Sequence, residues 1–212
     1  CVRDSKSFEF ISNHEQAGFH GTDICFAKGV VNKNVINTSV KVETIGVIIR
    51  DWNYGTIEDD YKSNLLEAVT LLRASGYKVQ FIVFSDLRDT DWLNTLKALD
   101  EDMLVWNPDV NTIENFMDEL SCFDLFISAR FHGVIFSTLL NKPAISIAIE
   151  PKLELVKENA ICKIWKPIDD TKETLLSLVN EYNDDYEQSV FDCQNLVVDK
   201  SKLYGEMLDF AF

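Results

Sequence analysis

A doubly wound α/β fold, built on a mostly parallel, Rossmann-like sheet with helices on both faces, is the architecture this sequence predicts. Three observations predict it. Short apolar runs alternate with helix-spaced amphipathic stretches from residue 44 onward, the rhythm of strand and crossover helix. The apolar runs are nearly continuous rather than alternating, as in strands buried on both faces. A chain of 212 residues is also long enough to bury one substantial core.

Taken in order, residues 5–12 carry the spacing of a short helix, and Gly18, Gly21 and Gly29 mark loops around Asp23-Ile24-Cys25-Phe26. Residues 31–43, rich in Asn, Lys, Thr and Ser, read as a linker. They divide an N-terminal segment, residues 1–43, from an α/β domain with C-terminal helices, residues 44–212. Strands are expected at 45–49, 79–84, 103–106, 125–128, 144–149 and, on a weaker pattern, 163–165. Helices are expected at 59–74, 91–99, 112–122, 133–140, 152–159 and 171–182, and Asp184-Asp185 with Glu187 reads as a further solvated helix start. Six strands with intervening helices suggest the spatial order 3-2-1-4-5-6.

Composition narrows the function. Hydrophobic residues make up 46% and charged residues 26% of the chain, the balance of a globular protein rather than a disordered one. Twenty Lys and Arg face 35 Asp and Glu, for a net charge of -15. That field repels nucleic acid and anionic membrane surfaces, so any bound anion has to be captured locally. No apolar run reaches the length of a transmembrane helix. The chain opens Cys1-Val2-Arg3-Asp4 without Met or a signal-peptide pattern, and is expected to be the later part of a longer protein. Five scattered cysteines without a C-x-x-C pair argue against a disulfide framework or a zinc site and fit a reducing cytoplasm. Walker, G-x-G-x-x-G and G-x-S-x-G motifs are missing, which disfavours nucleotide hydrolysis, simple NAD binding and α/β-hydrolase chemistry.

In open α/β sheets ligands bind beyond the carboxyl ends of the strands, where the winding reverses. Strand one ends in Ile49-Arg50-Asp51, strand four in Ser128-Ala129-Arg130-Phe131-His132-Gly133 and strand five in Ile149-Glu150-Pro151-Lys152. One rim therefore receives Arg50, Arg130, His132, Glu150 and Lys152. Guanidinium groups in so acidic a chain point to phosphate or carboxylate. Gly133, opening the next helix, is expected to let an anion reach backbone N–H groups. His132 lies at that helix start, where the dipole and Arg130 disfavour a second charge until a dianion arrives. Each residue also has a plainer role open to it: Arg50 as a partner of a nearby carboxylate such as Asp51, Arg130 and His132 as a capped and packed helix start, Glu150 and Lys152 as a solvated first turn. Trp52-Asn53-Tyr54-Gly55 could floor a sugar site, the other tryptophans read as packing, and His14 and His20 read as surface residues.

The run from Asp124 to Gly133, then Asn141-Lys142-Pro143-Ala144-Ile145-Ser146-Ile147 and Glu150-Pro151-Lys152, resembles the polysaccharide pyruvyl transferase family. There an apolar strand leads into R-x-H-[GA], followed by a helix, a strand and a turn bearing lysine. Val2-Arg3-Asp4-x-x-Ser7, with Gly18 and Asp23 downstream, is similar to the family's V-R-[DE]-x-x-S segment and the aspartate after it. Ile149 departs from the family's usual aromatic residue. The resemblance implies a GT-B-like member whose N-terminal Rossmann-like domain precedes Cys1. It implies transfer of a pyruvyl group from phosphoenolpyruvate to a sugar hydroxyl of a cell-surface polysaccharide precursor as a ketal, with no cofactor and no metal, by a protein inactive as this segment alone. The acceptor would be a saccharide, lipid-linked or nucleotide-linked. His132 would be the catalytic acid and Arg130, Lys152, Arg3 and Arg50 would bind substrate. Gly133, Ser128 and Glu150 complete the expected rim. The alternatives are a GT-B glycosyltransferase domain, with Arg and Lys on a nucleotide-sugar diphosphate and Glu150 on a ribose, and a non-catalytic carbohydrate-binding or scaffolding domain.

Overall fold

The structure is a computed structural model that describes residues 1–14, 18–27, 39–52 and 57–211, with the side chains of 57–59 and 211 outside that description. Six strands form one parallel sheet in the expected order, 3-2-1-4-5-6. Central β1 (Thr44–Ile48) lies between β2 (Lys78–Val83) and β4 (Leu125–Ser128). β3 (Met103–Val105) flanks β2, while β5 (Ala144–Ile147) and β6 (Cys162–Trp165) extend the sheet beyond β4. Ile48 is in register with Ser128, and Ser128 with Ser146. Residues just past those positions therefore leave the sheet side by side.

The central strands form because their side chains are buried on both faces: β4 and β5 are buried throughout, and β1 from Ile45 onward, while β3 and most of β6 toward the edges are partly buried. Each Ile or Leu so buried contributes roughly 1.5–3 kcal/mol of transfer free energy. β5 stops at Ile147, two residues short of the expected end, because the Ile149 N–H folds back onto the Ile147 carbonyl at 2.9 Å and leaves the ladder.

The helices follow apolar spacing. In α2 (Ile57–Ala74) Tyr61, Leu65, Ala68, Val69 and Leu72 share the buried stripe. It ends where Gly76, at φ +98°, closes the turn with the Gly76 N–H to Arg73 and the Tyr77 N–H to Leu72. α3 (Thr90–Ala98), α4 (Ile113–Ser121) and α5 (Phe131–Leu139) link the following strands. The helix expected over 152–159 is one α turn, α6 (Lys152–Leu155), and a 3₁₀ turn, Val156–Glu158. Ser146 Oγ donates to the Leu153 carbonyl, an acceptor that a continuing helix would use. α7 (Lys172–Asp184) and the 26-residue α8 (Tyr186–Ala211) finish the chain. The sequence marked the start of α8 but not its length.

The N-terminal residues pack onto this unit. α1 (Ser5–Asn13) is capped by Asp4, and Val2 bridges to His20. Thr22 Oγ1 donates to Asn159, and Asn159 Nδ2 donates to the Arg3 carbonyl. Ser201 of α8 donates to the Phe26 carbonyl, and Gly21 lies so close to Met207 that a Cβ would approach its sulfur to 2.6 Å. Most of the expected linker, residues 31–38, lies outside the described residues. Its last part is pinned: Asp124 accepts from Ser39 Oγ, Glu43 N and Thr44 N. No helix among the described residues is long and apolar enough to cross a membrane.

Candidate functional site

The rim beyond β1, β4 and β5 holds the predicted cations, but each is tied to a carboxylate rather than turned to a common centre. Arg50 pairs with Glu150, not with neighbouring Asp51, and its guanidinium lies 4.9 Å from the Trp52 ring centroid. Lys152 Nζ meets the same Glu150 oxygen at 2.9 Å. This cluster links the ends of β1 and β5. Asn53, Tyr54 and Gly55 lie outside the described residues.

Arg130 answers to a different carboxylate. Its Nη2 lies 2.6 Å from both oxygens of Asp89, which is fully buried, and its Nε donates to the Ile49 carbonyl. Asp89 stands at the N-cap of α3 yet makes no capping bond. Asp51 caps instead, accepting from the Asp91 and Trp92 N–H groups at 2.8 and 2.9 Å. The Asp51 N–H donates to Asp89, so the end of β1, the start of α3 and Arg130 form one network.

At the start of α5, Ser128 Oγ accepts from the Arg130 N–H at 3.1 Å and donates to the Arg130 carbonyl at 2.9 Å. Ser128 is fully buried and shapes the turn rather than facing solvent. Gly133 is explained by packing. A Cβ there would lie 2.4 Å from Ser128 Oγ and 2.7 Å from Ile48 Cδ1, so the missing side chain faces inward instead of opening the helix to an anion. The helix start carries no side-chain capping bond among the described residues.

His132 extends from this turn with its side chain 49% accessible. The sequence reading set Arg130 against it, but Arg130 is turned to Asp89. The imidazole faces Asp23, with Nε2 3.7 Å from Oδ2. Arg3 meets the same oxygen at 2.5 Å, and its guanidinium lies 4.3 Å from the centroid of Phe131. Asp23 is 2% exposed. Burial alone would raise its pKa, but the facing imidazole, the Cys25 N–H and Arg3 outweigh that and hold the carboxyl well below the usual range. Asp23, Asp89 and Asp51 were not among the predicted site residues. Asp23 had one signal, its place after the Val-Arg-Asp segment; Asp89 and Asp51 had only their positions beside strand or helix ends.

Asp23, Cys25 and His132 bring ligand atoms within 4.8 Å of one another, a spacing that would admit a metal ion. The donor set fits one poorly. Arg3, itself a cation, bonds the Asp23 oxygen, and burial followed by the hydrogen bond to Asp23 and then its charge pushes the Cys25 thiol up to about 12. His14 bonds the Phe10 carbonyl, and His20 stacks on Phe8 and faces Glu158, so these two are tied within the N-terminal segment.

A second concavity lies next to this site. Phe84, Trp106, Ile113, Phe116, Met117 and Phe136 line an apolar cavity of about 230 Å³ at the ends of β2 and β3. Its Phe136 ring lies 6.3 Å from that of His132.

Among solved structures, TarM matches 98% of the chain at 11% identity and a TM-score of 0.58, over 42% of its own length. UDP-GlcNAc 2-epimerase from Neisseria meningitidis, bound to UDP-GlcNAc, matches 82% of the chain at 14% identity and a TM-score of 0.51, over 45% of its length. Anabaena HepE in complex with UDP and glucose matches 98% at 15% identity and a TM-score of 0.50, over 62% of its length. At these identities the likeness is one of fold, Rossmann-like and GT-B-like, and the chain spans less than two thirds of each structure. No curated protein matches the chain significantly. The family model for polysaccharide pyruvyl transferase covers residues 1–151, a span that takes in the Val-Arg-Asp segment, the Asp23 loop and the Arg-Phe-His-Gly turn. By that match the chain belongs to the polysaccharide pyruvyl transferase family.

Proposed function

We propose that this chain supplies the donor-handling half of a transferase that moves a pyruvyl group from phosphoenolpyruvate to a sugar of a cell-surface polysaccharide precursor. One observation carries the reading: Arg3 and His132, from distant segments, meet at one carboxylate beside the uncapped start of α5. In this reading residues 1–43 belong with the site rather than acting only as a linker to residues 44–212, and the protein works in the cytoplasm.

The chemistry asks for a proton at the methylene carbon of the enol phosphate and positive charge against its phosphate and carboxylate. A sugar hydroxyl adds to the central carbon while His132 delivers the proton to the methylene, and the hydroxyl proton restores the imidazole. A second hydroxyl then displaces phosphate, closing the ketal. Its proton leaves with the phosphate. Arg3, the α5 N–H groups and Arg130, whose Nη1 carries no hydrogen bond among the described residues, would hold the donor. Lys152, with Arg50, Glu150 and Trp52, would face the acceptor. Gly133 and Ser128 would act indirectly, by fixing the turn.

The test is phosphate release from phosphoenolpyruvate with sugar acceptors, using the full-length protein. His132→Ala and Arg130→Lys should each abolish most of it, and a His132→Ala variant with normal turnover would contradict the assignment. The aromatic cavity favours a second reading, a glycosyltransferase whose nucleotide sugar stacks its base there. Quenching of tryptophan fluorescence by UDP, lost in Trp106→Leu and matched by no response to phosphoenolpyruvate, would select it.

A further inference from the structure

The buried carboxylate of Asp23 does more than balance a charge. Its Oδ1 accepts from the Cys25 N–H at 3.0 Å, capping the 3₁₀ turn Ile24–Phe26, so the backbone fixes where the carboxylate points. Its Oδ2 is the point at which Arg3 and His132 meet, at 2.5 and 3.7 Å. The loop carrying it cannot easily shift. Val2 N–H bonds the Phe19 carbonyl at 3.0 Å, Gly21 N–H bonds the Val2 carbonyl at 2.8 Å, and buried Asn159 ties Thr22 to the Arg3 carbonyl. Arg3 is further held over Phe131, the residue before His132. Two side chains that are 41% and 49% exposed are thus aligned from below by one group that solvent hardly reaches.

We propose that Asp23 is a positioning residue, holding the Arg3 guanidinium and the His132 ring at a fixed separation so that both address a single anionic donor. The inference rests on the transferase reading above and adds to it a role for a residue that touches no substrate. Pre-set geometry is where such a residue acts: a displacement of about 1 Å in a reacting group costs on the order of 10²-fold in rate. Asp23 keeps its charge across the working pH range, because its carboxyl is held well below the ordinary value, so the clamp does not switch off near neutrality.

Asp23→Asn keeps the size of the side chain and an oxygen for the Cys25 N–H while removing the charge. In the full-length protein the expected result is a fall in kcat on the order of 10²-fold with a smaller change in KM for phosphoenolpyruvate. Nitrogen-detected NMR of the His132 imidazole should move at the same time. Should Asp23→Asn not fold, Arg3→Met offers the same reading, since Asp23 then faces His132 alone and the imidazole signals should again shift. Unchanged His132 signals in a folded variant would overturn the proposal whatever happens to turnover. A wild-type protein that never consumes phosphoenolpyruvate would sink the functional reading instead, and the imidazole comparison would still decide the role of Asp23.

Discussion

Arg130 and Asp89 meet through one guanidinium nitrogen, which lies 2.6 Å from each carboxylate oxygen. Asp89 would ordinarily cap α3 from its position, yet its carboxylate is turned to Arg130 and Asp51 caps the helix in its place. The exchange lets the turn after β4 be held from the far side of β1, and it gives the most conspicuous arginine of the chain a buried partner.

Removing that partner should therefore be costly. Asp89→Ala leaves a guanidinium that is only 19% exposed without its counter-charge, a situation that destabilises by about 3–5 kcal/mol. Urea denaturation should show it, and Asp89→Ala combined with Arg130→Ala should recover part of the loss because no unpaired charge remains. A single variant as stable as the parent would contradict the role given to the pair.

Gly133→Ala tests whether this glycine serves packing. A methyl group would press on Ser128 Oγ and Ile48 Cδ1, and overpacking of this kind costs about 1–3 kcal/mol. Thermal denaturation should reveal that loss. Ser128→Ala in the same background should relieve part of the clash, although it also removes the bonds to the Arg130 backbone. A fully stable Gly133→Ala protein would return the glycine to the role of admitting an anion.

The sheet order was legible because unbroken apolar runs and intervening helices leave few ways to wind a parallel sheet, and Arg50 and Arg130 follow from where β1 and β4 end. Of the acidic partners Glu150 was legible, from the end of β5, but Asp23 and Asp89 were not predicted as site residues. In a chain with 35 Asp and Glu, no spacing singles out Asp89, and Asp23 is marked only by its place after the Val-Arg-Asp segment, because their roles arise from burial and from contacts across distant segments. Gly133 shows the same limit from the other side. Its place at a helix start suggested an open backbone, while the reason for it, Ile48 on the neighbouring strand, lies 85 residues away in the chain.

The cysteines should sort by burial. Cys1 and Cys122 are exposed. Burial pushes the thiols of Cys25 and Cys162 up to about 12 and raises that of Cys193 as well, so little thiolate exists at mildly alkaline pH. Iodoacetamide followed by mass spectrometry should find Cys1 and Cys122 modified first, with the other three protected until denaturant is added. Early modification of Cys193 in the native protein would show that the face of α8 carrying it is not packed against the domain.

Asp124 makes the last prediction, one about acid. Burial would raise its pKa, but hydrogen bonds from Ser39 Oγ, Thr44 Oγ1 and the Thr44 and Glu43 N–H groups more than offset this and hold the carboxyl below its ordinary value of 3.8. A group whose folded value lies below its unfolded value binds fewer protons when folded. Its contribution is therefore complete above 3.8 and declines as pH falls through the folded value. Asp124→Asn should be less stable than the parent at neutral pH, since an amide cannot accept all of these bonds, and the gap should narrow as the solution is acidified. Urea midpoints for both proteins, measured from neutral pH down to about pH 3, where the unfolded carboxyl is largely protonated, test this. A gap that stays constant across that range would mean that Asp124 is held by shape and not as an ionised acceptor, and the anchoring of residues 39–44 to β4 would need another cause.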